Sequence, residues 1–370
     1  MNNINRQYGI DVLRLLSTVG VVVLHVFGAG CLSRIISTSN SLSLSLSLSL
    51  NINYCGVLLL RILCVCSVNI FGIITGYLYV DRETYHTISI VKIIYSLFLY
   101  SIVITLFIKF VHPEWIKEKQ KLIEAMFPFG IRLWYITAYF FVFFMIPYLN
   151  IFIKNCPKVD FFVFLCVLTL LLSILTTVGM RDYWGLRRGY GCFWLIYCYF
   201  IGAFIKNNQI NIKKNILIFC IFSSVVFLFG LNILSLAYKS KQISRIFSHW
   251  MDYTSPLIIL NAICVFLLFK DLNTSNGFLQ KILVICSNSA LSVFIIHAQG
   301  LVLDNIIYPF LPRRVKYNSL RFFMLGFAAV ILIFVYCIIV DIIRLQIEKL
   351  CKIDFVQKKI SKGLDKILKY

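Results

Sequence analysis

Apolar stretches of about 20 residues, the length an α-helix needs to cross the hydrocarbon core of a bilayer, recur along almost the whole of this chain. They run at roughly 10–32, 55–80, 90–111, 132–153, 160–179, 190–206, 214–237, 254–270, 281–301 and 321–345, separated by charged or Pro-, Asn- and Gly-containing breaks. With 60% hydrophobic and only 14% charged residues among 370, the chain has far more apolar surface than a soluble domain can bury. The expected fold is all-α: a polytopic bundle of about ten transmembrane helices over residues 1–345, followed by a basic amphipathic tail over 346–370. Asp11 and Arg14 lie inside the first stretch and no small-residue cleavage site follows a short apolar core, so this segment is read as a retained span and not a signal peptide.

Charge fixes the orientation. The net charge of +21 does not point to nucleic acid, because no soluble module interleaves basic residues with exposed aromatics. Lysines and arginines sit at helix ends instead, most densely in the tail from Arg344 to Lys369, which the positive-inside rule assigns to the cytoplasm. An even span count places the N-terminus there too. The tail alternates Leu345, Ile347, Leu350, Ile353, Val356, Ile360, Leu364 and Ile367 with basic residues, as expected of a helix lying on anionic lipid.

Several chemistries find no support. The thirteen cysteines are scattered through the apolar spans without the paired spacing of a metal site, and they read as small core residues. There is no P-loop, dinucleotide fingerprint or His-Glu-x-x-His string, so neither a metal nor a tightly bound cofactor is expected. The Ser-Leu repeat of Ser41–Leu50 is expected outside the membrane as a loop expansion or an added edge strand.

Ionisable residues inside a span are costly enough to mark a functional site by default. His25 follows Arg14 by eleven residues in the first span. Eleven steps make three helical turns plus roughly 20°, which sets both side chains on one face about 16 Å apart along the axis. A snorkelling Arg14 and a His25 bonded to a carbonyl is the structural alternative. With the N-terminus inside, His25, Arg61, Trp134, Tyr135 and His297 all fall near the outer leaflet. The outer loops add Arg181, Arg187, Arg188, Arg313, Arg314 and Lys316, an excess that an anionic acceptor would explain. On the cytosolic side Asp11 and Arg14 are spaced to pair along their helix, and an arginine there suits a phosphate-rich ligand.

The string Gly9-Ile10-Asp11-Val12-Leu13-Arg14, followed by Val21-Val22-Val23-Leu24-His25, resembles the opening signature of the acyltransferase 3 family. These are integral membrane enzymes that O-acetylate bacterial surface polysaccharides. Four further strings follow in the family's order: Arg61 with Ser67–Leu78, Leu133-Trp134-Tyr135 with Pro147–Asn150, Tyr199–Lys206, and Ser292–His297. Gly72 stands where the family has a second Phe, and Thr75 where it has Ser. The resemblance covers nearly the whole chain.

It implies a multi-pass enzyme of the bacterial inner membrane, with acyl-CoA, commonly acetyl-CoA, as donor and a hydroxyl of an extracytoplasmic saccharide or lipid-linked glycan as acceptor. The group transferred is acyl but not amino-acyl. An activated thioester needs a base for the attacking hydroxyl, charge stabilisation for the oxyanion, and positioning. His25 fits the base. Arg61 or an outer-loop arginine fits the oxyanion or an acceptor phosphate, and Arg14, beside Asp11, fits the phosphates of coenzyme A. Trp134, Tyr135, Arg187 and Arg188 are candidates for the acceptor. For His297, orienting His25, binding acceptor and satisfying a carbonyl all stay open, as do direct transfer and an acyl-histidine intermediate. The competing class is a transporter or flippase of an envelope glycolipid. Against it, the two halves show no internal repeat and no matched pair of Gly/Pro-broken helices.

Overall fold

The computed structural model describes residues 6–28, 30–39, 44–82, 87–127, 129, 133–237 and 241–367, and among these it contains helices, turns and no strand. In chain order the principal helices are α1 (Tyr8–Gly28), α2 (Cys31–Ser39), α3 (Leu44–Cys64), α4 (Ser67–Tyr79), α5 (Thr87–Val111), α6 (Lys119–Met126), α7 (Trp134–Asn155) and α8 (Lys158–Leu168). There follow α9 (Cys192–Asn207), α10 (Lys214–Ala237), α11 (Lys241–Trp250), α12 (Pro256–Phe269), α13 (Gly277–Ala298), α14 (Ser319–Leu350) and α15 (Ile353–Ile367). α8 runs on through a π-helical stretch, Thr169–Leu175, to Val178. Eight helical stretches among the described residues are long and apolar enough to cross a membrane, and α9 and α12 are shorter apolar helices.

The described part of the Ser-Leu repeat, Leu44–Leu50, is neither loop nor strand but the start of α3; residues 41–43 lie outside the described residues. The repeat runs directly into an apolar helical segment. Leucine is a strong helix former, and extending an existing helix avoids the cost of a new nucleus.

The chain gathers into two compact units. The first takes residues 1–21, 58–82 and 148–287. Here α4 and α9 approach backbone to backbone: a carbon added at Gly76 would strike the Tyr199 carbonyl, and one at Gly202 the Ile73 carbonyl. Small residues at such crossings are what lets apolar helices pack closely in lipid, where dispersion contacts replace a hydrophobic drive. Replacing Gly76 by alanine should therefore cost about 1–3 kcal/mol in overpacking and lower the thermal midpoint in detergent. Gly230→Ala is the control, since its new methyl meets nothing within 4 Å and should be neutral or stabilising. Equal midpoints for the two variants would refute the close crossing.

Two asparagines lock the same unit. Asn150 donates to the carbonyls of Tyr79 (2.8 Å) and Arg82 (2.7 Å), satisfying groups that the end of α4 leaves open, and accepts from the Tyr199 hydroxyl at 2.5 Å. Asn69 donates to the Tyr253 carbonyl at 3.0 Å and accepts from the Trp194 indole at 2.9 Å. Buried amides satisfied this way fix a unique arrangement.

The second unit takes residues 22–57, 83–147 and 288–370. Its polar centre is Asp341 of α14, which accepts from the Tyr100 hydroxyl (2.8 Å, α5), the Ser292 hydroxyl (2.6 Å, α13) and the Arg344 guanidinium (2.8 Å); Arg344 also pairs with Glu348. Three helices are thereby joined through one buried carboxylate. Phe27 of α1 packs on Phe322, Phe323 and Phe327 of α14, where Gly326 leaves room for its ring. α14 extends to Leu350, and Lys352, in the left-handed region at φ 53°, turns the chain into α15.

Candidate active site

Two histidines 272 residues apart in sequence meet in the second unit. His25 lies in the last turn of α1 and His297 in the last turn of α13. Their rings are joined Nδ1 (His25) to Nε2 (His297) at 2.9 Å, and Nδ1 of His297 lies 2.5 Å from the Val293 carbonyl oxygen one turn back. A carbonyl only accepts, so the proton of a neutral His297 is on Nδ1, and its Nε2 presents a lone pair. That lone pair then takes a hydrogen bond from Nδ1–H of His25. The consequence is a His25 tautomer whose Nε2 is unprotonated and basic. His297 is almost wholly buried, at 1% exposure, while His25 is half-buried. His297 is thus the more enclosed ring of the pair.

Aromatic rings surround the pair. Tyr308, just past a π-helical turn at Leu303–Ile307, stands edge-on to His25 with centroids 6.1 Å apart. On the far side Phe294 meets His297 (6.1 Å) and Tyr135 (6.2 Å), and Tyr135 meets Trp134 (5.7 Å). Trp134 and Tyr135, expected from the sequence near the acceptor, are therefore linked ring by ring to the histidine pair. Tyr308 was not expected, since no spacing in the sequence ties it to His25. Gln299 braces the segment after His297: its side-chain oxygen accepts from the backbone amides of Leu301 and Val302, and its amide donates to the Thr105 hydroxyl at 3.1 Å.

The first unit holds the other end of α1. Asp11, 2% exposed, accepts a fork from Arg6 (Nε 2.6 Å, Nη2 3.0 Å) and the Ser287 hydroxyl (2.6 Å), with Arg14 3.7 Å away. Its oxygens are occupied by the protein's own donors. Asp11 thus braces two arginines and does not itself present a ligand surface. Arg6 and Arg14 keep 29% and 32% of their side chains exposed. The fork of Arg6 with a carboxylate five residues on becomes visible only where the chain enters the helix. Gly9 lies against the carbonyls of Phe269 and Lys270, which holds this end of α1 on the end of α12.

Of the other expected arginines, Arg61, Arg181, Arg187 and Arg188 also fall in this unit, while Arg313 and Arg314 fall in the second. Arg188 is committed to an internal fork with Asp252 (Nε 2.8 Å, Nη2 2.6 Å) and to the Ser248 carbonyl at 3.1 Å. Burial pushes the Asp252 carboxyl above its ordinary range, against the opposing pull of Arg188, and Arg61 adds its positive charge on the same carboxyl. Arg187 and Arg188 both take positive φ, 50° and 62°, in a turn where Asp182 accepts the amides of Leu186 and Arg187 at 2.7 Å. Arg187 is exposed. The structure thus gathers His25, His297, Trp134 and Tyr135 in one unit, and Asp11, Arg14, Arg61, Arg187 and Arg188 in the other.

A family model described as an acyltransferase domain matches residues 7–341. No curated protein and no solved structure matches the chain.

Proposed function

The chain belongs to the acyltransferase 3 family, and from that premise we propose a membrane O-acyltransferase that moves an acyl group, acetyl foremost, from cytosolic acyl-CoA to a hydroxyl of an extracytoplasmic saccharide. The observation that carries this reading is the hydrogen-bonded chain Val293 carbonyl–His297–His25, which leaves Nε2 of His25 as an accepting base. In the proposed step this nitrogen takes the proton of the acceptor hydroxyl as its oxygen attacks the thioester carbonyl. The tetrahedral intermediate expels the coenzyme A thiolate, and the proton passes from His25 to that sulfur. No net proton is consumed, and the base is regenerated. His297 gains or loses nothing; it holds the tautomer and ring plane, as the orienting partner of a catalytic histidine does.

The proposal places ten helices across the bacterial inner membrane, the eight long stretches together with α9 and α12, and both termini in the cytoplasm. At about 1.5 Å per residue, α9 and α12 span roughly 24 and 21 Å, short of the ~30 Å core, so their flanking residues complete the crossing. In this frame Arg6 and Arg14, braced on Asp11, receive the phosphates of coenzyme A, and Trp134 and Tyr135 face the acceptor; Arg187, in the first unit, is a separate candidate for an acceptor phosphate. The fork from Arg188 to Asp252 shapes the loop that carries Arg187.

The donor assignment is tested at Arg14. Lysine keeps the charge but loses the planar multi-donor group that phosphate recognition exploits. Arg14→Lys should raise the KM for acyl-CoA several-fold, with kcat changed less, and Arg14→Ala should weaken acyl-CoA binding further, as measured by titration of purified protein. An unchanged acyl-CoA affinity in Arg14→Ala would remove this end of α1 from the donor site.

A further inference from the structure

Helix α15 is docked the opposite way round from a helix that covers a soluble core. The side that faces the protein is largely polar: Gln357 and Ser361 are buried, and the Thr87 hydroxyl at the start of α5 donates to the Asp365 carboxylate at 2.7 Å and lies 2.8 Å from the Ser361 hydroxyl, with Leu364 packed beside them against Ile90, Val91 and Phe143. Lys92 of α5 adds an ion pair to Asp354 at 2.8 Å. The apolar residues Val356, Ile360 and Ile367 remain 54%, 50% and 79% exposed. At 100° per residue these three fall within an arc of about 40°. Lys359, Lys362 and Lys366, all exposed, lie on the side away from the docked face, with the exposed Phe355 among them, and the exposed Lys358 borders that face. The helix therefore has three edges, one bonded to α5, one apolar and one cationic. The last turns of α14 also expose apolar residues, Leu345, Ile347 and Leu350.

We infer that α15 is a lipid-binding element that lies in the membrane interface, its Val356–Ile360–Ile367 edge among acyl chains and its lysines on anionic headgroups. Both halves of the ligand's chemistry are present on one helix. An apolar edge alone fits many partners, whereas an apolar edge bordered by a cationic one fits the boundary of an anionic leaflet. The hydrogen bonds of Thr87 to Ser361 and Asp365 hold the helix beside α5 at that depth. The inference is independent of the proposed reaction.

Nitroxide labels at positions 356, 360 and 362, each in a full-length protein cleared of native cysteines, test it in nanodiscs of phosphatidylcholine with and without phosphatidylglycerol. The expected result is that oxygen relaxes the labels at 356 and 360 more than a water-soluble nickel chelate does, and that the order reverses at 362. Adding phosphatidylglycerol should deepen 356 and 360, and a variant with Lys358, Lys359, Lys362 and Lys366 changed to glutamine should lose that response. Nickel-accessible labels at all three positions would overturn the inference. So would labels shielded from both reagents, which would mean that a protein, a second copy included, covers this face. A depth indifferent to phosphatidylglycerol would overturn the anionic-lipid assignment.

Discussion

Replacing His25 by alanine should abolish acyl transfer, a loss of about 10²–10⁴-fold for removal of a general base, while the protein still inserts and folds. The variant takes away the one ring nitrogen that the His297 bond leaves basic, and His25 is only half-buried, so little packing goes with it. Size-exclusion profile and thermal midpoint should stay close to the parent. Acyl-CoA binding should also survive, because Arg6, Asp11 and Arg14 form their own braced group in the other unit. Loss of transfer together with loss of folding would say only that the end of α1 is structural; loss of transfer with folding and donor binding intact is the result expected here.

The second large effect is at His297. Phenylalanine in its place removes the acceptor for Nδ1–H of His25 and frees that ring to take the other tautomer, so kcat should fall by at least about 10-fold and at most about 10⁴-fold, the loss seen when the orienting carboxylate of a catalytic histidine is removed. The KM for acyl-CoA should hardly move. Glutamine offers a carbonyl oxygen that accepts from His25, and His297→Gln should recover part of the lost kcat. A purely structural His297 predicts no such rescue, because glutamine fills the site less well than phenylalanine. Steady-state kinetics on the two variants therefore separate positioning from packing.

How much of this was legible in the sequence depends on the range of the interaction. Hydropathy is local, and each of the ten apolar stretches falls on a helix of the structure. The Ser-Leu repeat misled because strict alternation is the period of a strand, yet the segment adjoins an apolar helix and continues it. Arg14 and His25 stood out as charge inside a span. For His297 the sequence left three roles open, orienting His25 among them, and could not choose, since its bond to His25 joins the ends of α1 and α13 across most of the chain. The same holds for Asn150 and Asn69, whose contacts with Tyr79, Arg82, Tyr199, Tyr253 and Trp194 show them to be braces of the helix packing. Arg188 looked like part of a free positive loop; its neutralising partner Asp252 lies 64 residues on, beyond what local charge patterning reveals.

The central claim is that this chain carries an acyl group from acyl-CoA to a saccharide with His25 as the base. The direct measurement supplies acetyl-CoA bearing isotope-labelled acetyl to membranes from cells that make either the parent protein or His25→Ala, and follows labelled acetyl ester on the surface glycan by mass spectrometry beside the release of coenzyme A thiol. The expected result is labelled ester and matching thiol release with the parent, and neither with His25→Ala. Equal labelling with both proteins would remove His25 from the mechanism; no ester and no thiol with the parent, alongside movement of a glycolipid between leaflets, would contradict the account as a whole.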